Sequence, residues 1–226
     1  TAMAAHVAEI EAITSQREEP TFENTILAYD RSGLLLEQVS LVFGMLSAAD
    51  TNPEMQQIEA EMMPLLAAHS DRIMLNEKLF ARIRTLYDER RNLGLNEKQN
   101  RLLEQIYNDF VRSGAMLEGA QRERLMAINE ELSTTSVAYG QNILAENNAY
   151  VLFLESNQTN GLPSGVRDQA REKAAELGKE GKFAFTLHKP SLIPFLTYST
   201  ERALREEIYK AYLNRCNNGN EYDNKQ

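Results

Sequence analysis

The chain has only one cysteine, Cys216, among its 226 residues. A lone cysteine cannot form an internal disulfide, and no cluster of thiols with the spacing of metal ligands is present. The sequence therefore excludes a disulfide scaffold and a thiolate metal site built from these residues alone. Because an unpaired thiol usually behaves as a small apolar group in a core, we predict a structural role for Cys216.

Histidine is also scarce, and none of the three histidines, His6, His69 and His188, is followed by glutamate. No two of them lie within one helical turn of sequence. A catalytic zinc needs three protein ligands and a nearby carboxylate, which many zinc peptidases supply from an HExxH helix. A di-iron helical bundle would need Glu-x-x-His on two helices. We therefore predict no metal ligand in this chain.

Motifs for other kinds of catalysis are missing as well. Acidic pairs such as Glu130 and Glu131 are adjacent on a helix and point in different directions, so they do not converge as a general acid and base would. There is no Gly-x-Ser-x-Gly nucleophile elbow, and the glycines are too scattered to form a phosphate-binding loop. The sequence predicts no catalytic and no cofactor-binding residue.

Positive charge and long apolar runs are both in short supply. The formal net charge is -9 and the pI is near 5.0, which disfavours nucleic acids and anionic lipid surfaces as partners. The longest uninterrupted apolar runs, such as Tyr150–Leu154, fall far short of the ~20 residues of a membrane span. The first residues lack the cationic segment of a secretory signal and indicate a helix entered partway through. The lone cysteine favours the cytoplasm.

What the chain does have is helical periodicity over most of its first 150 positions. Asn76 and Asn96 are suited to cap helices, Gly94 to end one in the left-handed conformation, and Thr51 with Glu54 matches a capping box. The predicted buried stripes include Met3, Val7, Ile10 and Ile13; Val39, Val42, Phe43 and Leu46; Met55, Ile58, Met62 and Leu65; and Leu125, Ile128, Leu132, Tyr139 and Ile143.

The pattern changes from position 150 onwards. Tyr150–Leu154 is a dense apolar run, Phe183–Leu187 alternates, and a short helix capped by Ser164 is expected between them. We predict a mainly α fold, an elongated multi-helix bundle with a small two-stranded β element near residues 150–188. The predicted domains are a helical region at 1–148, a strand-helix-strand insertion at 149–190, and a C-terminal helix with a frayed tail at 191–226.

Longer runs of sequence carry a resemblance to a known family. They are PTFENTI at Pro20–Ile26, LNEKLFARIRTLYDERRNLGLNEKQNRLLEQIYNDFVRSG at Leu75–Gly114, RLMAINEELSTTSVAYGQNIL at Arg124–Leu144, and ERALREEIYKAYLNR at Glu201–Arg215. Together they resemble the amino-terminal region of the thimet-oligopeptidase/neurolysin family, with most likeness to bacterial peptidyl-dipeptidases (dipeptidyl carboxypeptidases). The resemblance covers most of this chain and about a third of a typical family member.

That resemblance implies a helical region forming one wall of a deep channel that admits short peptides and faces a zinc-bearing carboxyl-terminal domain. The parent would be a zinc metallopeptidase that releases C-terminal dipeptides or cuts oligopeptides internally. None of the family's zinc ligands or catalytic groups can be assigned to a residue here, so the chain alone is expected to be inactive. Its expected partners are the catalytic domain of the same polypeptide and short peptide substrates.

A different class of function stays open on the sequence alone. A stand-alone acidic helical module could bind basic peptides or a partner helix in a groove. This alternative predicts a closed surface, whereas the peptidase hypothesis predicts an apolar patch larger than ordinary monomers show, where another domain docks.

Overall fold

The structure is a computed structural model that describes residues 1–225. The chain divides into two compact units, unit 1 at Thr1–Val137 and unit 2 at Ala138–Gln226. The prediction of a mainly helical chain with a small two-stranded sheet is confirmed. The three-part domain division stays a prediction; the two strands assigned to 149–190 lie in unit 2 together with the last two helices.

Unit 1 is built from helices alone. After α1 come a π-helical stretch at Phe22–Leu27 and the single turn α2, and the long helix α7 begins in this unit. The helices are α1 (Ala2–Thr14), α2 (Ala28–Asp30), α3 (Leu34–Ala49), α4 (Pro53–Met74), α5 (Glu77–Glu89), α6 (Glu97–Arg112) and α7 (Gly119–Ala149).

Side-chain caps fix where several of these helices begin. The Asn76 and Asn96 side chains accept hydrogen bonds from the backbone N–H groups three residues on, at 2.9 and 3.0 Å, as predicted. Gly94 adopts a φ of 65°, which confirms the left-handed position expected there. The prediction that Thr51 caps α4 was wrong by one residue. The cap is Asn52, which accepts a hydrogen bond from the Met55 N–H at 3.0 Å. Pro53 occupies the first helical position, where its ring holds its own φ at a helical value.

The core of unit 1 is formed by α1, the π-helical stretch, α5 and α6. Aromatic rings fill its centre, with Phe80 and Phe110 stacked at 6.1 Å and Tyr87 stacked on Tyr107 at 3.7 Å between centroids. The buried apolar residues are Ile10, Ile13, Phe22, Ile26, Ile73, Leu79, Phe80, Ile83, Leu86, Leu103, Ile106 and Phe110.

The predicted stripe on α3 was wrong, because no residue of this helix is buried. Val39, Val42 and Leu46 are more than half exposed, and only Phe43 is half-buried. Fifteen of the sixteen α3 residues carry no charge, so apolar side chains surround most of the helix and periodicity could not select the inward face. The side turned toward the protein carries instead the half-buried residues Leu36, Ser40, Phe43 and Ser47.

The stripes on α4 and α7 were wrong only in part, since Met55, Met62, Leu125, Ile128 and Ile143 are half-buried. On α4, Ile58 and Leu65 are exposed, and the buried residues of the helix are Asp71 and Ile73 near its end. On α7, Leu132 and Tyr139 are exposed. Part of the apolar spacing on these helices therefore lies on surfaces that the described residues leave open to solvent.

The segment Phe22–Ala49, which contains an 18-residue window with a mean hydropathy of 1.4, is long and apolar enough to cross a membrane by length and composition. Gly33, at a φ of 74°, interrupts it in the left-handed conformation, so α3 alone is the apolar helix. Sixteen residues at ~1.5 Å each span about 24 Å, short of the ~30 Å hydrocarbon layer. That no membrane is a partner stays a prediction.

Unit 2 packs three helices on a two-stranded antiparallel sheet. β1 (Val151–Leu154) pairs with β2 (Phe183–Thr186) in a register that sets Val151 opposite Thr186, which confirms both predicted strands. Between them lies α8 (Ser164–Glu176), and α9 (Lys189–Tyr198) and α10 (Arg202–Leu213) follow. The buried residues are Leu152, Leu154, Leu162, Ala170, Phe183, Phe185, Leu187, Leu192, Phe195 and Ile208.

Candidate functional site

The side chains that lie closest to a functional arrangement line a cavity of about 330 Å³ in unit 1. Helices α1 and α4 supply one histidine each, and the turn before α3 supplies a hydroxyl and a glycine. The polar and aromatic side chains in its lining are His6, Tyr29, Ser32, Glu37, Ser40, His69 and Ser70, with Met74 beside them.

The two imidazoles form a hydrogen-bonded pair. His69 Nε2 lies 3.0 Å from His6 Nδ1, and His6 Nε2 lies 3.3 Å from the Ser32 hydroxyl. That hydroxyl donates to the Tyr29 carbonyl at 2.7 Å, so it accepts from His6. His6 therefore carries its proton on Nε2 and accepts at Nδ1 from the His69 Nε2–H. Two neutral rings satisfy this chain of hydrogen bonds without any added proton.

The surroundings favour the neutral form of both rings. Burial lowers the pKa of His6, and the Glu9 carboxylate opposes this shift only in part. Burial also lowers the pKa of His69, and positive charge on His6 and Arg72 lowers it further. The Glu9 carboxylate itself accepts from the Gly33 N–H at 2.7 Å. Protonation of both rings would remove the acceptor at His6 Nδ1 and place like charges in contact.

Gly33 gives the pair its room. Its φ of 74° favours glycine, and a Cβ at this position would lie 2.8 Å from the His6 ring. The left-handed turn thus ends the preceding segment, starts α3, and brings its backbone against His6. The histidine pair therefore joins three segments of unit 1: α1, α4 and the turn before α3.

The pair does not amount to a catalytic centre. Within residues 1–225, no group of three or more His, Cys, Asp and Glu side chains is placed to hold a metal ion. Ser32 donates to a carbonyl and not to His6, so it is not an activated nucleophile. The neighbouring Tyr29 hydroxyl donates toward the Met74 sulfur at 3.5 Å, and burial, with Asp109 and Asp30 nearby, raises its pKa to about 12. The arrangement is suited to positioning helices.

Sequence reasoning missed this pair because it searched for histidines within one turn, and these two are 63 residues apart. A signal was nonetheless available. His6 lies four residues before the buried Ile10, and His69 lies four residues before the buried Ile73. Residues four apart share a helix face, so both histidines belong to the inward side of their helices.

In unit 2, the carboxylate of Glu146 holds the end of the chain. It accepts hydrogen bonds from the Cys216 N–H, from the Asn218 amide at 2.6 Å and from the Asn220 amide at 3.0 Å. Burial alone would raise the pKa of Glu146, but these hydrogen bonds outweigh burial and lower it. The frayed tail predicted for Cys216–Gln226 was therefore wrong over its described part, residues 216–225, where a buried carboxylate holds a run without apolar periodicity. Gln226 lies outside the described residues.

Cys216 itself is buried, as a structural thiol should be, and it has a φ of 56°. Burial raises its pKa, and the neighbouring Glu146 carboxylate raises it further. Both effects keep the sulfur protonated and unreactive.

Arg82 of α5 and Arg90, the residue just after that helix, also have partners within unit 1. Arg82 donates to the Asn24 side chain at 3.0 Å, to Thr25 at 3.2 Å and to the Glu18 carbonyl at 3.1 Å. Arg90 borders a second cavity of about 310 Å³, where it pairs with Glu104 at 3.5 Å. These cations organise loops of their own unit and do not form a free basic surface.

Comparison with characterised proteins finds relatives over nearly the whole chain. The dipeptidyl carboxypeptidase of Salmonella typhimurium is 35% identical over 216 residues, which cover 95% of this chain and 32% of the relative. The dipeptidyl carboxypeptidase of Escherichia coli is 36% identical and covers 90% of the chain and 30% of its own length. Oligopeptidase A of Escherichia coli is 27% identical and covers 95% of the chain and 32% of itself.

No protein-family model matches the chain. The relatives nevertheless confirm the resemblance that the sequence motifs carried, because they are peptidases of the predicted kinds. The chain spans about a third of the length of the curated relatives it matches.

Proposed function

We propose, from the premise that this chain is homologous to about a third of the dipeptidyl carboxypeptidases and oligopeptidases A, that it is the helical, non-catalytic part of a longer peptidase. The observation that carries the proposal is the extent of the match, which takes in nearly all of this chain and leaves two thirds of each relative unaccounted for. The part we assign is the amino-terminal one.

In the proposed protein, this part forms one wall of the channel that admits short peptides. Two observations favour a structural role for this part. Helices predominate, and no group of metal-binding side chains is found among residues 1–225. Removal of C-terminal dipeptides is the proposed activity of the whole protein, because the two relatives that are 35 and 36% identical are named for it.

The proposed cofactor of the whole protein is zinc, which would polarise the scissile carbonyl and activate water. The described residues do not fit a catalytic zinc. The histidine pair offers two nitrogens, and no third His, Cys, Asp or Glu of residues 1–225 joins them to complete a ligand set. We therefore assign the metal to the other part of the polypeptide and give no residue of this chain a role in the chemical step.

The experiment compares the chain with the full-length protein that its gene encodes, using an internally quenched peptide and mass spectrometry of the products. The full-length protein should release dipeptides from the C-terminus, and a chelator should abolish the release. The 226-residue chain should show no turnover with or without added zinc. Chelator-sensitive hydrolysis by the chain alone would contradict the proposal.

The alternative function, an acidic module that binds basic peptides, has one observation in its favour, the net charge of -9. It requires salt-sensitive binding of a lysine-rich peptide by the chain itself. A gene that stops at Gln226 would favour this module, and one that continues in frame into an HExxH motif would favour the peptidase.

A further inference from the structure

Helix α3 presents an apolar surface, which we call the α3 face, consisting of Leu34, Leu35, Val39, Leu41, Val42, Met45 and Leu46. Each of these side chains is more than half exposed, from 51% at Leu34 to 72% at Met45. Monomeric soluble proteins rarely expose contiguous apolar patches of more than a few hundred Å². A face of this kind on one helix is therefore a candidate interaction surface.

The spacing of these residues makes the face continuous. Leu35, Val39, Val42 and Leu46 follow the i, i+4, i+7, i+11 pattern of one helix side, and Leu34, Leu41 and Met45 form a second row beside them. Glu37 is the one charged residue between Leu34 and Ala49, so the face has almost no means of recognising an oppositely charged partner. Its partner must offer apolar surface.

We infer that the α3 face is the docking surface for the remaining part of the same polypeptide. This inference rests on the proposed function. The relatives extend for about twice this chain's length beyond the matched region, so the proposed parent has ample polypeptide to cover the helix. Covering seven large apolar side chains removes enough apolar surface from water to hold two parts of one chain together.

A lipid surface is a poorer match than protein. Helices that lie on membranes carry lysine and arginine on their polar face, and α3 has neither. The net charge of -9 also opposes approach to anionic lipid. The half-buried side chains Leu36 and Phe43 already anchor the opposite side of the helix in unit 1, which leaves one face for an occupant.

Cysteine labelling tests the inference. Val42→Cys introduces a thiol on the α3 face, where Val42 is 59% exposed, and Leu177→Cys is the control, placed at an exposed position on unit 2 among charged neighbours. The native Cys216 is buried and reacts slowly, so it gives little background. Labelling by a maleimide is followed in the 226-residue chain and in the full-length protein.

We expect the thiol at position 42 to react about tenfold or more slowly in the full-length protein than in the chain, and the thiol at position 177 to react equally in both. Met45→Cys provides a second reporter if the first variant folds poorly. Equal labelling at both α3 positions in the full-length protein overturns the inference. A gene that ends at Gln226 overturns it as well.

Two other occupants give distinct results, and both count against the inference. Protection that grows with concentration of the chain alone identifies a second copy, and sedimentation would show a dimer. Protection of the chain alone only after addition of phosphatidylcholine vesicles identifies a membrane.

Peptidase activity is measured on the same full-length samples. Activity without protection rejects the docking surface and leaves the proposed function standing. Protection without activity rejects the proposed function and leaves the docking surface standing.

Discussion

Glu146 accepts three of the long-range hydrogen bonds that hold the C-terminal segment. Its carboxylate is 7% exposed and accepts from the backbone of Cys216 and from two asparagine amides. A buried carboxylate needs such donors, since without them its desolvation would be uncompensated. The polar run from Cys216 onward is held by these hydrogen bonds and by those of Asn224 with Asn142 and Tyr139. Its composition could not reveal these long-range contacts.

Glu146→Gln should destabilise the chain by ~1–3 kcal/mol, because one acceptor oxygen is replaced by an amide that points a donor at other donors. Urea unfolding measures the change, and faster maleimide labelling of Cys216 would show that the segment has been released. Glu172→Gln, at an exposed position on α8, is the control and should leave both measurements unchanged. An unaltered Cys216 labelling rate in the Glu146 variant would rule out this role.

The same residue predicts acid sensitivity. The pKa of Glu146 in the folded chain lies below its ordinary value of 4.5, so the folded state holds the proton less tightly than the unfolded state. Its contribution to stability is complete above pH 4.5 and is lost as the pH falls through the folded-state pKa. Wild type should therefore lose more free energy of unfolding between pH 5 and pH 3 than Glu146→Gln does. Parallel losses would contradict the prediction.

The histidine pair predicts a second pH dependence, at higher pH. Both His6 and His69 have pKa values below the ordinary 6.5 in the folded chain, so unfolding takes up protons in this range. The stabilising effect is complete above pH 6.5 and diminishes as the pH falls toward the folded-state values. Wild type should thus have a lower midpoint of thermal unfolding at pH 5.5 than at pH 7.5.

His69→Gln removes one titrating group and should reduce that difference, measured by circular dichroism at both pH values. His188→Gln, at an exposed histidine that contacts Asn148 at 3.1 Å, is the matched control and should retain the wild-type difference. Identical pH dependence in all three proteins would show that the pair is not the cause.

At the scale of elements, the loop before α8 packs closely against the end of α9. Gly161 has a φ of 82°, and a Cβ there would lie 2.4 Å from the Tyr198 carbonyl oxygen. The Thr200 N–H donates to the Asn160 carbonyl at 3.1 Å at the same point. A backbone atom cannot move aside as a flexible side chain can, so glycine is required here for space as well as for conformation.

Gly161→Ala should cost ~3 kcal/mol, from left-handed strain of ~1–2 kcal/mol together with the steric overlap. Gly181→Ala is the matched control, because Gly181 has the same φ of 82° and a Cβ there meets nothing within 4 Å. It should cost only the strain. Comparable losses in urea unfolding for the two variants would show that the overlap is relieved without cost.

The elements themselves were largely predictable. Asn76 and Asn96 carry local signals that need no tertiary information, and Phe183–Leu187 carries the spacing of a strand. The burial of β2 was not predictable in this way, because all four of its residues are buried and not only every second one. The choice between Thr51 and Asn52 could not be made in this way, because both residue types cap helices and the backbone geometry before Pro53 decided between them. The histidine pair and the Glu146 contacts depend on tertiary proximity alone.

At the scale of the whole molecule, the limit of prediction was α3. Its apolar composition predicts burial, and the structure leaves most of it exposed. The amino-acid composition of a helix reflects its contacts in the complete protein. The partner that we propose for α3 is not among the residues of this chain, so α3 is exposed here. The same reasoning applies to Leu132 on α7. It was predicted to be part of a buried stripe, but residues 1–225 leave it exposed.

Exposure of the α3 face leads to a prediction for the isolated chain. Replacing Leu41, Val42 and Met45 together with glutamine should leave the free energy of unfolding within about 0.5 kcal/mol per site, because these side chains are already 58%, 59% and 72% exposed. The triple variant should bind less of an apolar fluorescent dye and stay soluble at higher concentration.

The control is a triple variant in which the buried residues Ile10, Leu103 and Phe110 are replaced with glutamine, and it should unfold the chain outright. Strong destabilisation by the α3 substitutions would mean that these side chains are packed in solution, and the α3 face would then not be a free surface.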